Sequence, residues 1–151
     1  MIKIQIKTIF EAVIFEHEKK NNTILETVNA AFAADADLRR ADLRRANLST
    51  VKNDFFEILL NAKKEVPGLR QALINGKING TTYSGECACL VGTIANVRGC
   101  KYENLEGINP NSSRPAEVWF LNIKEGTTPE NSQVAEITLG WIDEFLKLKN
   151  L

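Results

Sequence analysis

Three polar stretches of the chain lie just before segments that we predict to be helical. They read "TTYSGECAC", "NPNSSRP" and "GTTPENSQ". The first amide N–H groups of a helix have no partner within it, and the helix dipole is positive there, so helix starts favour anions. With an arginine and an aromatic ring nearby, such starts could hold a phosphorylated or nucleotide-like ligand without any chemical step. The candidate ligand-binding residues are Thr82, Tyr83, Arg98, Ser113, Arg114, Trp119 and Thr128.

The same polar residues have a simpler interpretation. Serine, threonine and proline are common at the capping positions of helices, whether or not a ligand binds there. Arg114 could equally pair with Glu117 or with another neighbouring carboxylate. The ligand hypothesis therefore requires the three stretches to line one shared cleft.

Residues that usually carry out catalysis or bind metals are sparse. The single histidine, His17, lies at the end of a predicted strand, and no nucleophile motif accompanies it. Glycine-rich phosphate loops and the HExxH motif are absent from the sequence. We therefore predict that the protein is not an enzyme and needs no cofactor.

The three cysteines suit neither a disulfide framework nor a zinc site. Cys87 and Cys89 are separated by one residue, which is not the usual spacing of zinc ligands. Cys100 makes the number odd, which argues against disulfide pairing. We interpret them as small, half-buried thiols and predict no metal site, with metal or redox chemistry as the alternative.

The charge balance limits the partners. Nineteen basic residues offset nineteen acidic ones, so net charge provides no general attraction to nucleic acid or to an anionic membrane. No apolar stretch approaches the ~20 residues that span a bilayer. The N-terminal "MIKIQIKTIF" alternates apolar and polar residues, whereas a signal peptide needs a continuous apolar core. We expect a cytoplasmic protein.

The remaining patterns predict an α+β fold. Alternating isoleucines at 2, 4 and 6 and the segment "AVIFEHE" predict a β-hairpin. Thr23 and Glu26 have the spacing of a capping box at the start of a short helix. From Val51 onward the apolar spacing is helical. We therefore expect residues 1–50 to contain the hairpin, the helix and a repeat segment, and residues 51–151 to form an all-helical domain.

The repeat segment runs from Ala36 to Thr50 and reads "ADLRRADLRRANLST". Its period of five matches neither a helix nor a strand, and a helix would scatter the three leucines around its axis. A coil in which each unit forms one side would gather them. The pattern resembles the A(D/N)LXX units of pentapeptide-repeat proteins, in which four units make one turn of a square right-handed β-helix.

Three units are less than one turn of such a coil. We expect the neighbouring segments to cap it, or its open end to pair in a homodimer. A regular α-helix over the same residues is the alternative. In either case four arginines form an outward basic row, which is a candidate surface for a host protein or simply a solvated face: Arg39, Arg40, Arg44 and Arg45.

The resemblance extends along nearly the whole chain. The stretches "KIQIKTIFEAVIFEHE", "TYSGECACLVGTIANVRG", "NSSRPAEVWF" and "GTTPENSQV" are similar to the flanking parts of pentapeptide-repeat proteins of bacteriophages and prophages. The resemblance implies a phage-encoded accessory protein, and small proteins of that kind often act on host machinery, including host immunity. Together with the polar helix starts, this leads us to expect a protein of the host cytoplasm that counteracts host defence by sequestering a small phosphorylated or nucleotide-like molecule. The alternative is an inhibitor or scaffold that binds a host defence or DNA-processing protein.

Overall fold

The computed structural model describes residues 1–8, 10–34, 36–37 and 48–151 of the chain. Its fold is α+β, with an N-terminal antiparallel hairpin followed by helices, as predicted. A short 3-10 turn occupies Tyr102–Asn104. The elements in chain order are β1 Ile2–Lys7, β2 Val13–Lys19, α1 Ile24–Ala33, α2 Ser49–Leu60, α3 Val66–Ile74, α4 Leu90–Arg98, α5 Pro115–Phe120 and α6 Gln133–Lys149.

The pentapeptide coil is not shown, since residues 38–47 lie outside the described residues. The basic row (Arg39, Arg40, Arg44 and Arg45) lies there too, and both remain predictions. The last residues of the third repeat unit do differ from the expectation. Ser49 and Thr50 already belong to α2, and the buried Leu48 stands at its N-cap, so the repeat does not continue as a coil to Thr50.

The hairpin buries one face against α1. Ile4 lies opposite His17 and Ile6 opposite Phe15, and residues directly opposite one another share a face. Ile6 is only 1% exposed, and α1 packs against both strands. The opposite face is polar, where Lys3 forms an ion pair with Glu16 at 2.9 Å. The half-buried position of His17 within this register is consistent with a structural role.

The predicted capping box at the start of α1 is confirmed. The Thr23 hydroxyl accepts a hydrogen bond from the Glu26 N–H at 3.2 Å, and the Glu26 carboxylate accepts one from the Thr23 N–H at 3.1 Å. This exchange satisfies two amide donors that the helix itself cannot pair. Lys19 at the end of β2 also bonds Glu26, at 2.6 Å, and so ties the hairpin to the helix.

The helices from residue 49 onward pack around an aromatic core. α2 contacts α5 and α6, while α3 contacts α4 and α6. Phe55 of α2 lies 5.5 Å from Phe120 of α5 and 6.3 Å from Trp141 of α6, measured between ring centroids. Ile6 and Val28 from the N-terminal elements belong to the same buried cluster. The division into units of 1–50 and 51–151 remains a prediction.

The predicted start of the last helix is wrong. α6 begins at Gln133, and its cap is Ser132, whose hydroxyl accepts a hydrogen bond from the Ala135 N–H at 3.3 Å. In the sequence, Thr127 and Glu130 have the spacing of a capping box, which predicts that the helix starts there, but the Thr127 hydroxyl instead accepts a bond from the Lys124 N–H at 3.2 Å. The segment from Thr127 to Ser132 contains several residues that could cap a helix. Thr127, the first of them, bonds within the turn before the helix, and Ser132 caps the helix itself. Across the described ranges, no helix combines the length and apolarity needed to cross a membrane.

Candidate functional site

A polar cleft of about 280 Å³ lies between the C-terminal half of α2 and the loop before α5. Its volume is close to the lower end of small-molecule pockets, which begin at about 300 Å³. Ile58 and Ile108 supply buried apolar surface, and most of the polar lining residues are exposed. The lining residues are Glu57, Ile58, Asn61, Gly107, Ile108, Asn109, Asn111 and Arg114.

Arg114 lines this cleft and is paired with Asp54 of α2. Its Nη2 donates to Asp54 Oδ1 at 2.7 Å, and its Nε lies 3.2 Å from both carboxylate oxygens. Asp54 Oδ2 also accepts the Ala116 N–H at 2.8 Å. Although aspartate is a common helix cap, Asp54 lies inside α2 and bonds the start of α5 instead. One carboxylate thus joins two walls of the cleft.

Arg98 is not a lining residue, but it bonds the backbone on both sides of the cleft. At the end of α4, its Nη1 donates to the Glu106 carbonyl at 2.8 Å and its Nη2 to the Asn61 carbonyl at 3.2 Å. Its Nε donates to the buried Glu65 carboxylate at 2.9 Å. The hydrogen bonds from Arg98 to the Glu65 carboxylate hold the pKa of Glu65 below its ordinary value of 4.5. Arg98 therefore fixes the end of α2 relative to the loop on the other side of the cleft.

A buried carboxylate, Glu117, connects Tyr83 to the cleft loop. Glu117 is 4% exposed and accepts hydrogen bonds from the Tyr83 hydroxyl at 2.6 Å and from the Asn111 N–H at 2.7 Å. Burial, reinforced by the Glu117 carboxylate, raises the pKa of Tyr83, which keeps the hydroxyl a donor. The Tyr83 ring stacks on Tyr102, with centroids 5.0 Å apart. Ser113 contributes through its N–H, which donates to Asn111 Oδ1 at 3.0 Å.

The predicted site residues thus fall into two groups. Arg114 lines the cleft, and Arg98 and Ser113 bond directly to lining residues, while Tyr83 reaches one through Glu117. Thr82 and Thr128 lie in turns elsewhere: Thr82 donates to the Ser84 carbonyl, and the Thr128 N–H donates to Asn131. The structure does not bring all seven residues to one cleft.

Trp119 requires a correction, because its ring is in the core and offers no surface for a ligand to stack on. The residue is 2% exposed, and its Nε1 donates to the Thr138 hydroxyl at 2.9 Å. Its ring lies 5.4 Å from that of Trp141. A short helix that begins at Pro115 turns this position inward, and the polar end of the indole finds its partner on α6.

The anion sites expected at helix starts are also not formed. Leu90 and Val91, the first residues of α4, are fully buried, and so is the Ser132 cap of α6, at 4% exposed. At α5 the Ala116 N–H is already bonded to the Asp54 carboxylate. At α5 and α6 an amide of the helix start is thus bonded within the protein, and at α4 the first residues are buried, as the simpler interpretation of the polar stretches expects.

The electrostatics of the cleft are acidic. Asp54, Glu57 and Glu117 all act on the Arg114 guanidinium and raise its pKa. These carboxylates lie around the one guanidinium of the lining. A phosphate group placed in the cleft would lie near them, so we expect the cleft to disfavour it.

None of the three cysteines is among the residues that line the cleft. Among the described residues, no group of three or more His, Cys, Asp or Glu side chains is placed to hold a metal ion. Cys87, Cys89 and Cys100 are free thiols, and burial raises the pKa of Cys89. Cys87 and Cys100 are half-buried, as interpreted from the sequence, whereas Cys89 is buried, at 5% exposed.

Sequence reasoning noted Asn109 and Asn111 within the stretch "NPNSSRP" but missed Glu57, Asn61, Gly107 and the two isoleucines. Two signals were available. Glu57 and Asn61 are four residues apart, so both lie on one side of α2 and both are exposed. Gly107 adopts a φ of +82°, a conformation that favours glycine, and it begins the turn-rich stretch "GINPN" that forms the opposite wall.

We expect the free energy of unfolding to fall as the pH decreases below about 4. Burial pushes the pKa of Asp54 upward, but the hydrogen bonds from Arg114 and the Ala116 N–H together outweigh it and hold the pKa below its ordinary value of 3.8. As the pH falls, Asp54 is therefore protonated in the unfolded chain at a higher pH than in the folded protein. The stability that Asp54 contributes is fully present above the pKa of the unfolded chain. It is lost as the pH falls through the folded pKa.

Urea unfolding between about pH 3 and pH 7 measures this dependence. Asp54→Asn keeps an acceptor oxygen but cannot titrate, so the acid loss of stability should be smaller in this variant than in the parent. An identical acid slope in the two proteins would show that the pKa of Asp54 is not depressed by folding.

Comparison of the chain with protein-family models, with curated proteins and with solved structures gives no match. The functional argument therefore rests on the cleft itself.

Proposed function

We propose that the protein is a non-catalytic binding protein that sequesters a small nucleotide-like ligand in the polar cleft. The main observation behind this proposal is that hydrogen bonds between separate segments hold the walls of the cleft in place. Arg98, Asp54 and Glu117 each bond two or more separate segments around the cleft, so its shape is set before a ligand arrives. A pre-formed site binds with less loss of conformational entropy than one that must be ordered.

The lining suits the parts of a nucleoside. The Glu57 carboxylate can accept hydrogen bonds from sugar hydroxyls, as acidic residues do for ribose in dinucleotide-binding proteins. Asparagine amides carry both donors and acceptors, which can meet the edge of a base. Ile58 and Ile108 provide apolar surface for a ring.

The biological role that we propose is that of a phage-encoded accessory protein acting in the host cytoplasm against host defence. This part of the proposal rests on the five-residue repeats and the flanking stretches described above. Sequestration needs no catalytic group, only a cleft that holds its ligand. An accessory protein of this kind would lower the free concentration of the ligand in proportion to its own abundance.

We predict that a member of a panel of nucleosides and nucleotides raises the melting temperature. A ligand that binds only the folded state at about 100 times its Kd adds about 2.7 kcal/mol of stability. For a chain of this size that corresponds to a rise of about 5–10 °C. Differential scanning fluorimetry measures the shift.

A matched pair of variants locates the effect. Asn109→Trp places a bulky side chain at an exposed lining position and should abolish the shift, whereas Asn104→Trp, at an exposed position outside the cleft, should leave it intact. A panel that leaves the melting temperature unchanged would overturn the proposal.

The second candidate function is an inhibitor or scaffold that binds a host protein. It is supported by the exposed apolar residues of the hairpin, where Phe10 is 86% exposed and Val13 is 51% exposed. Such residues are enriched where proteins meet. The ligand panel separates the two functions, because a protein that acts only through a protein partner gains no stability from any nucleoside.

A further inference from the structure

The hydrogen-bonding groups that line the cleft indicate which part of a ligand it would hold. This inference rests on the proposed function. Among the residues that line it, Arg114 is the one basic side chain. Two of its nitrogens, Nε and Nη2, are engaged by Asp54. The nearby Arg98 is likewise bonded to Glu65 and to two backbone carbonyls. The guanidinium groups around the cleft thus serve the architecture of the protein.

The hydrogen-bonding atoms on the α2 side are mainly acceptors. Asn61 Nδ2 donates to the Glu57 carbonyl at 3.0 Å, which orients the side chain and leaves Oδ1 to act as an acceptor. Cβ and Oδ1 of Asn61 lie 3.8 and 3.9 Å from the point that a Cβ on Gly107 would occupy, so this side chain borders the opposite wall. The Glu57 carboxylate, when ionised, also only accepts. Glu57 and Asn61 thus offer acceptors to a ligand that donates.

Donors are available on the loop side. Asn111 Oδ1 accepts the Ser113 N–H at 3.0 Å, so the remaining polar group of this side chain is the Nδ2 donor. A pair of hydroxyl groups can donate to the α2 side and accept from the loop side at once. A phosphate dianion can only accept, so it cannot donate to the Glu57 carboxylate that lines the cleft.

We propose that the cleft holds an uncharged vicinal diol, such as that of ribose, with Glu57 as the principal acceptor, and that it leaves the phosphate of a nucleotide outside. The size of the cleft agrees with this assignment. A volume of about 280 Å³ suits a single sugar-and-base unit. The function of the site is then recognition of the nucleoside part of its ligand.

Isothermal titration calorimetry with three sets of probes tests the inference. The probes are the four common ribonucleosides, their 2′,3′-dideoxy counterparts and their 5′-monophosphates. For the ribonucleoside that binds best, removal of both hydroxyls should weaken binding by about tenfold or more, as expected for loss of hydrogen bonds to a charged group. The 5′-monophosphate should bind no more tightly than the nucleoside.

Glu57→Gln provides the residue-level readout. The variant should weaken ribonucleoside binding by about tenfold and leave the weaker binding of the dideoxy compound unchanged. Glu86→Gln, at an exposed position that does not line the cleft, is the matched control and should change neither. Because Glu57 is exposed and inside a helix, the substitution should preserve the fold.

The possible outcomes separate the two proposals. A 5′-monophosphate that binds tenfold more tightly than its nucleoside, or a dideoxy compound that binds equally well, overturns the diol assignment and leaves the binding function standing. Failure of every probe to bind overturns both.

Discussion

Replacing Trp119 with alanine is expected to lower the free energy of unfolding by about 4 kcal/mol, the range measured for removal of a buried aromatic side chain. The ring is 2% exposed and packs 5.4 Å from Trp141. Truncation would leave a large cavity between α5 and α6. It would also remove the donor to the Thr138 hydroxyl. Urea unfolding followed by circular dichroism measures the change.

Trp119→Phe is the matched variant for this prediction. Phenylalanine keeps most of the ring volume and loses the hydrogen bond, so we expect a smaller loss, of about 1–2 kcal/mol. If the alanine variant were as stable as the parent but bound its ligand less well, Trp119 would be the exposed stacking residue that the sequence suggested. Its buried position would then be wrong.

Replacing Arg98 with alanine should have the second largest effect, a loss of about 3 kcal/mol of stability. The change leaves the Glu65 carboxylate buried without its partner, at 8% exposed. It also removes the donors to the Asn61 and Glu106 carbonyls, which hold the two sides of the cleft. We therefore expect ligand binding to weaken as well, although Arg98 is not one of the residues that line the cleft.

Arg70→Ala is the control for Arg98. Arg70 pairs with Asp143 at 2.6 Å, but both side chains are well exposed, at 38% and 48%. Exposed pairs contribute at most about 1 kcal/mol, so this variant should remain close to the parent in stability and in ligand binding. Equal losses in the two variants would show that the Arg98 bonds do not hold the cleft in the way described.

Local patterns in the sequence were sufficient for the elements and their class. The alternation in "MIKIQIK" predicts β1, and the spacing of Thr23 and Glu26 predicts the start of α1, because each depends on residues within one strand or one turn. The same kind of reasoning failed at Thr127, where several capping residues compete over six positions. Choosing among them depends on the packing of the preceding turn.

The cleft could not be predicted in the same way, because its contacts join residues far apart in the chain. Asp54 and Arg114 are 60 residues apart, and Arg98 and Asn61 are 37 apart. No spacing rule connects such pairs before the helices are packed. The sequence did identify Arg98, Ser113 and Arg114 as notable polar residues. It also allowed Arg114 to pair with Glu117 or another neighbouring carboxylate, but it could not show that the partner is the distant Asp54, or that Arg98 pairs with Glu65.

Contacts between distant residues also explain the wrong prediction for Trp119, which the structure buries although the sequence predicted an exposed ring. In the sequence it stands one turn after a polar stretch, where an exposed aromatic ring would suit a base. Its burial follows from the contact of α5 with α2 and from the hydroxyl of Thr138 on α6. Neither contact can be recognised from the sequence around position 119.

The most direct test of the central claim is an amide NMR titration of the protein with the best-binding ribonucleoside of the panel. The account predicts that the largest shifts fall on the backbone amides of Glu57, Asn61, Gly107, Asn109 and Asn111, and that they saturate together. Shifts concentrated instead in the turns around Thr82 and Thr128, or no shifts at saturating ligand, would contradict it.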